Sequence, residues 1–400
     1  MSVEEQYDTY PYPTRNPMDE YKRLVTGSPS FPIEIDHFVF GGKRNWRKPI
    51  RILIAGGGTG DALVQIAQVL TSAGRPYDIT YMDLSTAARE VAETRIDARK
   101  LKNVTYKTAS LLDAPDFGPF DYIDCCGVLH HLPDPDSGFA ALADALAPEG
   151  GLGLMVYAPY GRSGVYPLQS AFGALSQGMT AAERLKLGRK TLKNVPAAHP
   201  FRRNPTVVDH KQSDAEFYDL LLHSQDRPFT VGELCAALDR AELQPSGFLP
   251  AAQYDLAEML PTGVMRPKGM SDFVAMDIAE KLRGNIKTHV TYAVAKGRTL
   301  PSPDAKDEWA VPHLRSLDGL RLSGLVARKG QIILDFPGES VAIKIPRETA
   351  PLLALIDGRT PLGVLRERAG LDALLFRSLW QRVHDSLVPW NQINYSKLYV

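Results

Sequence analysis

The sequence predicts an α/β protein built around an open, doubly wound parallel sheet, and two observations support this prediction. First, short apolar stretches alternate with longer segments of helical periodicity through residues 46–160. Second, the first apolar stretch runs into a glycine cluster, GGGTG at 56–60, and a helical pattern begins directly after it. Strands that alternate with helices of ten or more residues form βαβ units, which build a parallel sheet covered on both faces.

The individual elements follow from local patterns. The predicted strands are IRILIA, DITYMDL, NVTYKTA, FDYIDCCGVL and GLGLMVYA, and the predicted helices between them are DALVQIAQVLTSA, STAAREVAETRIDARKL and GFAALADALA. TVGELCAALDRAEL is a predicted helix with Thr230 as its N-cap and Glu233 three residues later. LQPSGFLPA, a helical stretch near 254–283 and HVTYAVAKG then complete a domain that we assign to residues 46–297.

Four other segments flank or interrupt this domain. Residues 1–45 are rich in Tyr and Pro without a sustained period, which predicts an ordered arm or lid. Residues 161–225 are a predicted, partly helical insertion over the active site, and residues 298–312, with several prolines and charges, are a predicted linker. In residues 313–400, GLVARKG and QIILDFP alternate like a β-hairpin, SVAIKI adds a strand and three helices follow, which predicts a small α+β unit of winged-helix size.

The composition argues against several function classes. Lys plus Arg equals Asp plus Glu, at 46 each, so no global field favours nucleic acid or anionic lipid. The N-terminal residues lack a signal-peptide pattern and no apolar run approaches the ~20 residues of a membrane span, which predicts a cytoplasmic protein. Three cysteines fit neither a disulfide framework nor a zinc spacing, so we predict reduced thiols and no metal site.

The glycine cluster is typical of a ligand-binding turn at the carboxyl end of a strand. Glycine lets the main chain approach a ligand without an intervening Cβ, so Gly56, Gly58 and Gly60 are candidate cofactor contacts. In the G-x-G-x-x-G/A fingerprint of nicotinamide enzymes, counted from Gly56, the third position is Asp61, and a carboxylate there would face the pyrophosphate. S-adenosylmethionine carries no phosphate and fits this turn better.

Two further motifs extend the candidate site. Asp83 closes the strand ITYMD, where a carboxylate can accept both ribose hydroxyl hydrogens, or alternatively cap the helix that begins near Ser85. The segment GVLHHLPDP begins at Gly127, at the end of a later strand.

In this order, GGGTG, Asp83 and DYIDCCGVLHHLPDP resemble the class I S-adenosylmethionine-dependent methyltransferases. More narrowly, ILIAGGGTG, CCGVLHHLPDP, LMVYA, YDLLLHSQDRPFT and an arm like YDTYPYP resemble a bacterial branch often fused to tetratricopeptide repeats, over about residues 7–297. The resemblance implies a Rossmann-like sheet, S-adenosylmethionine as cofactor, and a cofactor-binding set of Gly56, Gly58, Gly60, Asp83, Leu84, Ser110, Leu111 and Gly127.

Two departures from that class are visible. The class usually has an acidic residue where this chain has Ile54, and it often places an Asp near the adenine where this chain has Ser110. These departures predict either a weaker affinity for the cofactor or compensation by another acid, such as Asp113 or Asp61.

Methyl transfer requires an in-line arrangement, exclusion of water and, for an O or N acceptor, removal of a proton. The candidate bases are His130, Tyr157 and His223, and His131 is either a packed histidine or a base. Residues 218–227, YDLLLHSQDR, are either a predicted lid over the acceptor or a capped helix end with its last Asp–Arg pair at the surface. Tyr12, His131 and Arg227 are the candidate acceptor-binding residues.

The C-terminal unit, mainly through its DGRTPLGVL turn, resembles winged-helix-type domains of some peptide-modifying enzymes, including the peptide chaperone of pyrroloquinoline quinone biosynthesis. It fits peptide capture or a stabilising or dimerising role, so a homodimer is one expectation. The leading interpretation is therefore a methyltransferase acting on a peptide, protein or small-metabolite acceptor. The alternatives are a non-catalytic Rossmann scaffold and, less favoured, an NAD(P)-dependent oxidoreductase.

Overall fold

A seven-stranded sheet forms the centre of the protein, whose structure is a computed structural model that describes residues 3–299, 302–303 and 305–400. The strands are β1 (Ile50–Ala55), β2 (Tyr77–Asp83), β3 (Val104–Thr108), β4 (Phe120–Cys126), β5 (Leu146–Tyr157), β6 (Leu243–Phe248) and β7 (Thr288–Ala295). Their spatial order is β3-β2-β1-β4-β5-β7-β6. Strands β1 to β5 run parallel, and β7 is antiparallel to both of its neighbours.

This order confirms the predicted doubly wound sheet. The chain leaves β1 for β2 on one side and returns to β4 on the other, so the order reverses between β1 and β4. A crevice for ligands opens at the carboxyl ends of strands at such a point. In β1 only Arg51 is exposed, because helices cover both faces of the central strands, and this burial explains the continuous apolar run in the sequence.

The helices of the N-terminal segment and the sheet domain are α1 (Val3–Thr9), α2 (Pro32–Phe40), α3 (Asp61–Ser72), α4 (Thr86–Ala98), α5 (Pro135–Asp144), α6 (Val165–Leu175), α7 (Ala181–Asn194), α8 (Pro200–Arg203), α9 (Asp214–Leu222), α10 (Val231–Arg240) and α11 (Asp272–Arg283). Helix α10 begins with the predicted capping box, in which Thr230 and Glu233 exchange hydrogen bonds. Helices α6 to α9 lie in the predicted insertion and share a separate apolar core, against which Tyr10 of the N-terminal arm packs.

The C-terminal unit contains the strands β8 (Pro312–Leu314), β9 (Gln331–Phe336), β10 (Glu339–Lys344) and β11 (Ile393–Tyr395), and the helices α12 (Gly319–Lys329), α13 (Ala350–Ala354), α14 (Leu362–Ala369) and α15 (Ala373–Leu387). The prediction of a strand at GLVARKG is wrong, because these residues form the second half of α12. That helix starts at the N-cap Asp318 and ends at Gly330, which has a left-handed conformation. The hairpin instead joins β9 and β10.

The last residues of the chain return to the N-terminal segment. Helix α2 is a core element, with Ile35 and Val39 buried, whereas the sequence predicted an ordered arm or lid throughout residues 1–45. Its Asp36 accepts hydrogen bonds from the Ser396 hydroxyl and the Lys397 main-chain N–H. In the predicted linker, the described residues 305–312 are attached to the C-terminal unit, for example through a hydrogen bond from the Leu362 N–H to the Ala310 carbonyl.

Among the described residues, no helix is both long enough and apolar enough to span a lipid bilayer.

Candidate cofactor and acceptor site

A cavity of about 450 Å³ opens at the carboxyl ends of the central strands. Its walls come from the glycine turn, the end of β2, the loops that follow β3 and β4, the end of β5 and the N-terminal segment. Of the predicted cofactor residues, Gly56, Gly58, Asp83, Leu84, Ser110, Leu111 and Gly127 line it, and so do Tyr12, His131 and Tyr157 from the other predicted sets.

The glycine turn leaves no room for side chains. A Cβ on Gly57 would lie 2.3 Å from Cε2 of Tyr81, and one on Gly58 would lie 2.7 Å from the Tyr12 carbonyl oxygen. Gly56 and Gly58 also have positive φ angles of 70° and 50°. Gly60 does not line the cavity; it is the left-handed N-cap of α3, and a Cβ there would meet Ala92 at 2.9 Å.

Asp83 ties the glycine turn to the end of β2. One carboxylate oxygen accepts from the Gly58 N–H at 2.7 Å, and the other accepts from the Ser85 N–H at 2.8 Å. Burial raises the pKa of Asp83, and these main-chain donors act in the opposite direction. Because each carboxylate oxygen has a second lone pair, Asp83 retains the capacity to accept from ribose hydroxyls. The helix cap is Ser85, whose hydroxyl accepts from the Ala88 N–H.

Both acids named as substitutes for an acid at Ile54 are engaged in other contacts. Asp61 is held by Arg15 at 2.6 Å and by Arg95 at 2.8 Å. Although burial raises the pKa of Asp61, the bonds and charges of these two guanidinium groups lower it overall. Asp113 is exposed and closes a capping box with Ser110. These contacts do not favour compensation by either acid, which stays a prediction.

Sequence reasoning missed a third acid, Asp124. In the register of the parallel strands it lies directly beside Ile54, and both residues line the cavity. Asp124 is 1% exposed, and burial raises its pKa to about 7. The signal in the sequence is a second carboxylate in the strand FDYIDCC, which follows Asp121 by three residues and lies in the strand interior.

At the far end of the cavity, aromatic hydroxyls and a carboxylate form a buried network. Asp219 of α9 accepts from the Tyr157 hydroxyl and from the Tyr7 hydroxyl, each at 3.1 Å. The Tyr7 hydroxyl also lies 3.3 Å from Nε2 of His223. Burial raises the pKa of Asp219 and holds the pKa of His223 well below its ordinary value.

The main-chain carbonyl and N–H of Gln225 contact two stacked histidines and fix a different neutral tautomer on each. Nδ1 of His131 lies 2.7 Å from the Gln225 carbonyl oxygen, and Nδ1 of His223 accepts from the Gln225 N–H at 3.0 Å. His131 therefore carries its proton on Nδ1 and presents a lone pair at Nε2, whereas a neutral His223 carries its proton on Nε2. The two rings stack with centroids 3.8 Å apart. His131 is thus the histidine with a free acceptor nitrogen at the cavity.

Two predicted residues lie elsewhere. His130 is fully buried outside the cavity, and neither ring nitrogen has a hydrogen-bond partner among the described residues. Burial holds its pKa well below the ordinary value. The Arg227 side chain is 63% exposed and pairs with Glu233 at 3.9 Å, outside the cavity. The cation that lies beside this end is instead Arg162, whose guanidinium sits 3.5 Å from the centre of the Tyr157 ring.

The same histidines and acids meet the spacing of a metal site in two combinations: His130, His131 and Asp226, and His131, Asp219 and His223. In each group the ligand atoms lie within 4.8 Å of one another. However, the Nε2–H tautomer of His223 offers no lone pair on the side of Tyr7. In the other group, Arg162 already lies 3.4 Å from Asp226. The cluster is therefore better suited to hydrogen bonding and proton transfer than to holding a cation.

The N-terminal segment covers the cavity and connects the sheet domain to the insertion. Arg15 pairs with Asp61, and the Thr59 hydroxyl donates to the Pro13 carbonyl at 2.7 Å. On the side of the insertion, the Thr14 N–H donates to Glu216 at 3.2 Å. These contacts give the segment the geometry of a closed lid.

Comparisons with known proteins agree with this geometry. Residues 53–152 match the family model described as a methyltransferase domain. This match covers the part of the sheet domain from β1 into β5, and it supports the sequence-based prediction of a methyltransferase that uses S-adenosylmethionine.

Two curated relatives share part of the chain. An uncharacterised protein of Synechococcus sp. is 33% identical over 254 residues, which is 62% of this chain and 59% of that protein. The highly reducing polyketide synthase 40 of Fusarium pseudograminearum is 30% identical over 173 residues, which is 40% of this chain and 6% of the synthase. The chain therefore spans less than two thirds of the length of either relative.

Among solved structures, PKMT2 from Rickettsia typhi in complex with AdoHcy superposes on this chain with a TM-score of 0.63 at 17% identity, covering 94% of this chain and 77% of that one. A second structure of the same protein gives a TM-score of 0.62. The likeness shows a shared fold that extends well beyond the sheet domain.

Proposed function

We propose that the chain is an S-adenosylmethionine-dependent methyltransferase. The observation that supports this most directly is the cavity at the strand-order reversal, enclosed by a turn that only glycine fits and by the Asp83 carboxylate. This cavity lies within and around the segment that matches a methyltransferase domain.

The residues present fit the cofactor. Asp83 would accept the ribose hydroxyl hydrogens, because each of its oxygens retains a lone pair beyond the bonds from Gly58 and Ser85. Leu84, Leu111 and Ser110 would flank the adenine, and the glycine turn with Gly127 would lie along the rest of the molecule. When bound, the cofactor supplies a methyl group already activated on a sulfonium.

The protein's own contribution is to position the acceptor, exclude water and take up a proton. We assign proton removal to Nε2 of His131, since the Gln225 carbonyl fixes its tautomer and the residue lines the cavity. The nearby Asp219 carboxylate stabilises the imidazolium that results, because its charge interacts with His131. Tyr12 and Tyr157 line the same end and would orient the acceptor.

The acceptor is a small metabolite or the side chain of a peptide or protein. The N-terminal segment covers the cavity and is held there by the ion pair between Arg15 and Asp61. Because this cover narrows the entrance, it favours an acceptor that reaches in with one narrow nucleophilic group. The C-terminal unit would offer a peptide its β9–β10 sheet edge. Cytoplasmic location, a homodimer and the winged-helix type of that unit remain predictions.

The first test is calorimetric titration of the full chain with S-adenosylmethionine, S-adenosylhomocysteine and, separately, NADH. We expect the first two ligands to bind and NADH not to bind. Binding of none of them would favour the scaffold alternative, and binding of NADH alone would favour an oxidoreductase. A turnover screen with radiolabelled methyl donor, over peptides and small nucleophiles, then identifies the acceptor.

A further inference from the structure

Within the part of the chain that the structure describes, one carboxylate of the cavity has neither a cationic partner nor a main-chain donor. Three acids line the cavity: Asp61, Asp83 and Asp124. Asp61 is paired with Arg15 and Arg95, and Asp83 accepts one main-chain N–H on each oxygen and keeps its remaining lone pairs for the ribose. Among the described residues, no cation pairs with Asp124, and its Oδ1 has no hydrogen-bond partner.

The surroundings of Asp124 are neutral. The Tyr122 hydroxyl donates to Oδ2 at 3.5 Å. Burial raises the pKa of Asp124, and the hydrogen bonds from the Ser30 and Tyr122 hydroxyls lower it by a smaller amount. Burying an ionised carboxylate that has only hydroxyl partners costs free energy, and a cation that pairs with it offsets this cost. The cavity in front of it is the route by which a cation can arrive.

S-adenosylmethionine and S-adenosylhomocysteine both carry an α-ammonium group, which must be desolvated when the ligand is enclosed. We propose that the Asp124 carboxylate binds this α-ammonium group, with the Ser30 hydroxyl beside it. The assignment rests on the proposed function and names a ligand-binding residue in a strand interior. It also accounts for the apolar Ile54 next to it, since one carboxylate at this point of the sheet is sufficient for one ammonium.

The proposal has a pH signature. The ammonium pairs with the ionised carboxylate, so ligand affinity should rise between pH 6 and pH 8 as Asp124, with a pKa of about 7 in the free protein, loses its proton. The other titratable groups that interact with it are Tyr122, Cys125 and Cys126 of β4 and Tyr292 of β7. Burial raises the pKa of each of them further above this interval, so none of them titrates within it.

The test compares two ligands that differ in the amino-acid moiety: S-adenosylhomocysteine, which has the ammonium, and methylthioadenosine, which lacks it. Calorimetry on the full chain would be run for wild type, Asp124→Asn and the control Asp78→Asn, which removes an exposed carboxylate from β2. We expect Asp124→Asn to weaken S-adenosylhomocysteine by roughly 10- to 100-fold, the usual effect of losing a charge-assisted bond, and to leave methylthioadenosine unchanged. The variant should also lose the rise of affinity with pH, and Asp78→Asn should behave as wild type.

A second variant keeps the test independent of any effect on folding. Ile54→Asp combined with Asp124→Asn moves the carboxylate to the neighbouring strand and should recover part of the affinity for S-adenosylhomocysteine. Equal losses for both ligands, or an unchanged affinity for S-adenosylhomocysteine in Asp124→Asn, would overturn the assignment. If wild type binds neither ligand, the proposed function itself fails.

Discussion

At the residue scale, the glycine turn is the part of the site that tolerates substitution least. Gly57→Ala would place a methyl group 2.3 Å from the Tyr81 ring, which is buried and donates its hydroxyl to the Gly58 carbonyl at 2.6 Å. Because the ring cannot move without breaking that bond, we expect a loss of roughly 1–3 kcal/mol in unfolding free energy and loss of S-adenosylhomocysteine binding. Chemical denaturation and calorimetry would measure both.

The matched control is Gly173→Ala in α6, where nothing lies within 4 Å of the added Cβ. Alanine is favoured over glycine inside a helix by roughly 0.5–1 kcal/mol, so this variant should be as stable as wild type or slightly more so. A Gly57→Ala protein that binds S-adenosylhomocysteine normally would show that the turn does not approach the ligand.

The role of His131 can be separated from its structural contacts. Asn at this position retains a donor for the Gln225 carbonyl, in place of Nδ1, and removes the lone pair at Nε2. With the acceptor found by the turnover screen, His131→Asn should reduce kcat by roughly 10²–10⁴, the range for a lost general base, while S-adenosylhomocysteine affinity is unchanged. A kcat close to that of wild type would exclude His131 as the base and leave Tyr157 and His223 as candidates.

Sequence reasoning located the site residues that belong to local motifs and missed those that depend on tertiary structure. The glycine turn and Asp83 are signalled by a strand that ends directly before a helix. Asp124 becomes a candidate site residue only because the strand register places it beside Ile54. Arg162 becomes one only because its guanidinium lies over the Tyr157 ring. Neither relation is visible along the chain.

At the scale of elements, the N-terminal segment has the contacts of a lid. Arg15 forms two hydrogen bonds from Nε and one from Nη2 to Asp61, and both side chains are partly buried. Arg15→Ala should therefore raise the dissociation rate of S-adenosylhomocysteine, by about 10-fold if the variant forfeits about 1.4 kcal/mol of closure energy. Stopped-flow displacement would measure the rate.

The comparison variant is Lys22→Ala, which removes an exposed pair with Asp19 in the same segment. Because an exposed ion pair contributes little to stability, the Lys22→Ala variant should release S-adenosylhomocysteine at the wild-type rate. If both variants release the ligand at the wild-type rate, the segment does not gate the site.

Helix α12 shows why one element was predicted wrongly. The seven letters GLVARKG alternate by chance, but Leu322 and Val326 bury one helical face against the C-terminal core, and Asp318 and Gly330 cap the two ends. A window that began at Asp318 would have shown the helical period. The sheet domain was predicted correctly because its strands are long, apolar and separated by whole helices.

At the scale of the whole molecule, the two ends of the chain are joined in a way that local patterns do not reveal. The buried Asp36 in α2 accepts hydrogen bonds from the Trp46 indole, the Arg44 N–H, the Ser396 hydroxyl and the Lys397 N–H. Helix α2 directly follows the segment 25–30 that lines the cavity. The position of the C-terminal residues is therefore coupled to one wall of the site.

This coupling predicts a single cooperative unfolding transition and a large effect of Asp36→Ala. The substitution leaves four donors, two of them buried and two partly buried, without their acceptor. We therefore expect the unfolding free energy to fall by roughly 2–5 kcal/mol, and the affinity for S-adenosylhomocysteine to weaken because the wall formed by 25–30 loosens. Denaturation followed by both fluorescence and circular dichroism would measure the first effect and calorimetry the second. Asp318→Ala, which removes an exposed cap of α12, should cost only about 1 kcal/mol and leave the affinity unchanged. Two separate transitions, with Asp36→Ala affecting neither the first transition nor the affinity, would mean that the C-terminal unit is attached to the sheet domain without stabilising its site.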